Sequence, residues 1–173
     1  MVYQRGVPPQ ATYMFKHALI QDAAYQSLLK STRQQSHQRV AHVLGAQFPA
    51  IVDQQPELLA HHYTEAGLNS QAVSYWYQAG QRASERSAYV EAIAHLRQGL
   101  KLLQTLPETP ERTQCEVDMH IALGASFIAV KGYAASEVAQ TYTRAQHLCQ
   151  HLDDPHQIFS GAARFVELLS RTR

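Results

Sequence analysis

The sequence predicts an all-α protein built of helix hairpins, with one short strand near its N-terminal end. Three observations carry this. From Ala18 onward apolar residues recur at steps of three and four. Pro56, Pro110 and Pro155 open such stretches, and Gly67 and Gly132 close them. Alanine and glycine interleave with large residues along the stripes, as close helix approach requires.

Residues 1–10, with Gly6, Pro8 and Pro9, read as an irregular lead-in. Ala11 to His17 then alternates Tyr13, Phe15 and His17 on one side, which predicts a strand. With no second strand legible, its partner is expected from another chain or a preceding segment, so the N-terminus reads as truncated. Ile20, Ala24 and Leu28 mark one helix; Val40, Leu44 and Phe48 mark a second beginning near Thr32. Pro56 opens a third, with Leu59, Ala60, Tyr63 and Ala66 on one side and Gly67 as its stop.

Asn69 or Ser70 is the expected cap of the next helix, which carries Ala72, Trp76, Ala79, Gly80 and Ala83. Ser87 is the expected cap of a helix whose stripe is Ile93, Leu96, Leu100 and Leu103. Thr109 and Pro110 start a helix reaching about Lys131; its half from Ile121 to Val130 is apolar nearly all round and expected to be enclosed on several sides. A helix from Ser136 to Leu152 places Val138, Tyr142, Ala145 and Cys149 in register, and a last one, opened by Asp154 and Pro155, carries Phe159, Ala162, Val166 and Leu169.

Composition narrows the function classes. Fifteen Lys and Arg against fourteen Asp and Glu leave a formal charge of +1, so no global field draws the chain to nucleic acid or an anionic membrane. Cys115 and Cys149 stand apart without a CxxC partner, which argues against a disulfide framework or zinc ribbon and suits the cytoplasm. No apolar run approaches the roughly 20 residues that span a bilayer, and MVYQRGVPPQ lacks the blocks of a secretory signal.

Leu59, Ala60 and Tyr63, followed by Ala72, Trp76 and Ala79, resemble the offsets of a tetratricopeptide unit. A second register uses Trp76, Ala79, Gly80 and Ala83, then Ala92, Leu96 and Gly99; a weaker third uses Ala122, Ala125 and Ala129, then Val138, Tyr142 and Ala145. The resemblance implies a right-handed helical-hairpin solenoid over 56–173. The segments YMFKHALIQDAAYQSLL, RQQSHQRVAHVL, PELLAHHYTEAG, QAVSYWYQAGQRASERSAYVEAIAHL and KGYAASEVAQTYTRAQHLC resemble bacterial multidomain signalling ATPases, some fused to class III nucleotide cyclases. In that family a winged-helix module links the ATPase to the repeats. The resemblance therefore implies a winged-helix-like remnant, a strand plus two helices, over 1–50.

No catalytic residue carries over, because the chain holds neither GxxxxGK[ST] nor GxGxxG. Neither a cofactor nor a metal is expected. His147 and His151 share a helical face, but two ligands do not close a zinc site, and the adjacent His61 and His62 are expected to face different ways. His17 sits at the strand-to-helix junction without a nucleophile arranged beside it and reads as a structural hydrogen-bonder. Trp76 falls on the core register, flanked by Tyr75 and Tyr77.

These readings make the chain a non-catalytic protein-interaction and regulatory scaffold, a piece of a larger signalling ATPase or cyclase. Its partner is a protein or peptide, including the parent's own ATPase domain, with no membrane role. The groove would draw on Glu57, His61, Gln81, Glu85 and His120. Open solenoid ends predict self-association. The alternative is a DNA-binding transcriptional regulator fragment, in which Lys30, Arg33 and Arg39 belong to a DNA-reading winged helix.

Overall fold

The computed structural model describes residues 2–7, 12–15 and 18–150. Two strands, β1 (Val2–Arg5) and β2 (Thr12–Phe15), are followed by eight helices among these residues: α1 (Ala18–Ser27), α2 (Lys30–Gln47), α3 (Pro49–Gln54), α4 (Pro56–Ala66), α5 (Asn69–Glu85), α6 (Tyr89–Leu103), α7 (Pro110–Lys131) and α8 (Ser136–Cys149). The protein is thus mostly helical. None of these helices is long and apolar enough to cross a membrane.

The lead-in is not irregular throughout. Val2 pairs with Phe15 and Arg5 with Thr12 in an antiparallel ribbon, so β2 has its partner inside the chain. A four-residue VYQR stretch has too little alternation to announce itself as a strand.

From α4 onward each helix packs on the next in the chain, and α5 also touches α7. At the other end α2 packs on α3 and α4, and β2 on α1. Pro56 sits in the first turn of α4, where its missing N–H costs nothing. Gly67 ends α4 in a left-handed conformation (φ 77°), and the Leu68 N–H reaches back to the Tyr63 carbonyl at 2.9 Å. The Thr109 hydroxyl accepts the Arg112 N–H at 3.2 Å and caps α7, which Gly132 terminates.

Two other expected caps fall elsewhere. The residues before α5 and α6 are Leu68 and Ala88, without side-chain caps; Asn69 instead donates to the Thr105 hydroxyl at 2.9 Å, and Ser87 takes a positive φ of 60° in the turn. The stripe of α2 is also displaced. Val40 and Phe48 are exposed, and the inward side carries Gln34, His37, Ala41 and Leu44. Polar residues at inward positions hide the phase from an apolar count.

The core is one cluster shared by α5 to α8: Val73, Leu96, Leu103, Met119, Leu123, Phe127, Val138 and Tyr142. Its helices approach at glycines. A Cβ on Gly80 of α5 would stand 2.6 Å from Leu96 Cγ of α6, and one on Gly124 of α7 2.7 Å from the Tyr142 ring of α8. The third register therefore shifts: Leu123, Gly124 and Phe127 are buried, whereas Ala125 and Ala129 are exposed. Val117, Leu148 and Cys149, with Ile121, form a smaller cluster between α7 and α8. The helix expected from Asp154, with Phe159 and Val166, lies outside the described residues, as do His17 and His151.

Gly80→Ala is expected to destabilise the chain by ~1–3 kcal/mol, because Leu96 is fully buried and cannot step aside, even though alanine is the better helix former. Gly45→Ala, with nothing within 4 Å, is expected to stabilise it by about 0.5–1 kcal/mol. Thermal unfolding of the two variants should move in opposite directions.

Candidate functional site

A concave surface lies where α1, α2 and α4 meet. It is an open cleft of about 700 Å³ lined by Asp22, Ala24, Tyr25, Leu28, His37, His61 and Glu65. Tyr25 projects from α1, His37 from the inward side of α2, and His61, His62 and Glu65 from α4.

The side chains form a connected series. The Tyr25 hydroxyl lies 3.3 Å from Glu65 Oε2 and 2.9 Å from His37 Nε2, and His37 Nδ1 lies 2.8 Å from His62 Nδ1. The His61 ring stands edge-on to His37, with centroids 5.7 Å apart, and 5.5 Å from His62. Arg33 packs its guanidinium 5.3 Å from the centre of the Tyr25 ring. His61 and His62 thus both turn toward His37, against the expectation that neighbours face apart.

Burial disfavours charge on the imidazoles of His37 and His62. It holds the pKa of His37 below its ordinary value, with His61 adding to the effect and Glu65 opposing it. His62 is lowered by burial, then by His37 and His61, again against Glu65. Among the described residues no group of three or more His, Cys, Asp or Glu is arranged to hold a metal ion.

The five groove candidates are not gathered into one site. His61 lines the cleft. Glu57 acts on His95, which stacks on Trp76 at 5.4 Å between ring centroids. Trp76 also donates to the Thr64 hydroxyl at 3.0 Å, which joins α5 to α4. Gln81 and Glu85 are exposed on α5, at helical spacing from Ser70 and Ser74. Those two serines edge a second furrow of about 380 Å³ that also includes Val73, Leu106, Arg112 and Cys115.

His120 belongs to a buried ionic cluster between α7 and α8. Glu116 accepts from Arg144 Nη2 at 2.8 Å and Nε at 3.2 Å, with Arg112 at 3.6 Å and His120 Nε2 at 4.0 Å. His120 Nδ1 is buried without a hydrogen-bond partner. Burial lowers the His120 pKa, helped by Arg144 and opposed by Glu116. Nothing in the apolar pattern signals this cluster, although Arg112 and Glu116 stand at the i, i+4 spacing of an ion pair.

His37, His62, His95 and His120 all have lowered pKa values, with burial the leading cause in each. The folded chain then binds fewer protons than the unfolded one just below the ordinary histidine pKa. Their stabilisation is complete above about pH 6.5 and is lost as pH falls through the lowered folded values. The urea midpoint is expected to be lower at about pH 5.5 than at about pH 7.5; a flat midpoint would refute the sign.

No protein-family model matches the chain. No solved structure matches it either. Over 144 residues, 83% of its length, the chain is similar to an uncharacterized protein of Rhizobium meliloti (strain 1021) at 28% identity, and it spans 14% of that protein's length.

Proposed function

We propose that the chain is a non-catalytic protein-interaction and regulatory scaffold, a right-handed tetratricopeptide-like solenoid that acts as one segment of a larger cytoplasmic signalling ATPase or cyclase. The observation that carries the reading is a repeated crossing. In α5 and α6, Gly80 lies under Leu96; in α7 and α8, Gly124 lies under Tyr142. Each glycine follows a small or branched apolar residue, Ala79 or Leu123, and the facing helix carries Ala92 or Val138 one turn earlier. The same glycine-under-large-residue packing recurs in successive helix pairs, the arrangement by which stacked repeats build a core that no single hairpin can enclose.

Similarity to a small share of a much longer relative supports a segment of a multidomain protein. Partner contacts are assigned to the exposed face of α5 that runs from Ser70 and Ser74 to Gln81 and Glu85, beside the furrow shared with α7. Val73, Leu103 and Leu106 supply its apolar floor, and Glu111 and Arg112 bring one charge of each sign to its edge.

The hairpin and the first helices are assigned to the linking module of 1–50. The DNA-reading alternative has less support, since the chain is nearly neutral and Arg33 is engaged with Tyr25.

The test is solution binding by the purified chain, with lysate-captured candidates re-examined one at a time. A stoichiometric protein complex weakened ~10-fold or more by paired Gln81→Arg and Glu85→Arg substitutions is expected. ATP turnover by the pure chain, or DNA affinity that falls steeply with salt, would overturn the reading.

A further inference from the structure

Every side chain described between Leu19 and Ser27 is exposed, so α1 has little buried surface of its own. Tyr25 ties it to the rest of the chain. Its hydroxyl meets His37 of α2 and Glu65 of α4, its ring receives Arg33, and Arg33 Nη1 reaches the Tyr25 carbonyl at 3.5 Å. The same His37 ring also meets His62, a contact that joins α2 to α4.

We propose that His37 and His62 form a two-proton clasp: it holds α1 and α2 against α4 while the pair carries at most one positive charge, and opens when both rings are protonated. This is independent of which partner the scaffold binds.

The proton count gives the mechanism. Three contacts link Glu65, Tyr25, His37 and His62 in series. With both rings neutral, the tyrosine O–H donates to Glu65, His37 Nε2–H donates to the tyrosine oxygen, and His62 Nδ1–H donates to His37 Nδ1. One added proton leaves all three intact, whether it lands on His62 Nε2 or makes His37 a donor at both nitrogens with His62 accepting. A second proton places hydrogen on both Nδ1 atoms. The 2.8 Å contact is then donor against donor, between two cations.

The surroundings resist that second charge. His61 of α4 opposes protonation of both rings, and burial does so more strongly, while Glu65 favours charge. Asp22 of α1 lines the same cleft, Arg33 of α2 lies over Tyr25, and α3 brings Asp53, which is exposed. From α5, on the other side of α4, the neighbouring contact is the stack of Tyr75 on Tyr63.

Hydrogen–deuterium exchange of the full chain, corrected for intrinsic rates, tests the clasp between about pH 7.5 and about pH 5. Protection of α1 and of 30–41 in α2 should fall ~10-fold or more, with a slope approaching two protons, while α5 to α7 change less than about 3-fold. His62→Asn keeps an acceptor near the position of Nδ1 but cannot titrate, so its protection should persist at the acid end. Tyr25→Phe should strip protection from α1 at both ends while α2 still responds to acid. Unchanged protection of the native chain, or an acid loss in His62→Asn as steep as in the native chain, would overturn the proposal. Ring-nitrogen NMR of the unsubstituted chain gives a second readout: His37 and His62 should gain the second proton together with the loss of α1 protection. Two independent single-proton titrations with protection intact would reject it.

Discussion

The rest of the structure depends on how closely neighbouring helices approach. At Gly80 and Gly124 there is no room for a methyl group, and the space is filled by Leu96 and Tyr142 from the next helix. Such contact brings backbone and side chain to interior packing density and lets Val73, Leu123, Phe127 and Val138 share one core. Gly99 of α6 serves the same purpose, facing Met119 of α7 in the next pair and Trp76 of α5 in its own. The glycines weaken their own helices, and the packing they admit offsets this.

Polar groups inside this stack are held in two different ways. Glu116 is buried with its charge balanced by Arg144 and Arg112, so its burial is tolerated because partners replace water. His37 and His62 are partly buried, partner each other, and have their pKa values lowered by that burial. One arrangement pairs opposite charges; the other pairs two rings on which burial disfavours charge.

The helices α4 to α8 were legible because proline, glycine and an apolar stripe act locally, and each leaves its mark within a few residues. Val138, Tyr142, Ala145 and Cys149 are buried in the register read from the sequence. What escaped was set by contacts distant in the chain. The face of α2 is hidden because His37 looks inward to meet His62, and the six residues of α3 are too few to show a period. The cleft was half-legible. The sequence marks His61, but adjacent residues on a helix point about 100° apart, and only the fold brings His37 from another helix against both His61 and His62.

The order of packing along the chain also bears on how it is made. From α4 to α8 each helix rests chiefly on the one before it, so most pairings close a short loop, the contact of α5 with α7 being the longer one. During synthesis, α4 and α5 can settle as soon as both have emerged, and their surface then serves as a template for α6. Assembly of this kind proceeds by growth at one edge, in the direction in which the ribosome supplies the chain.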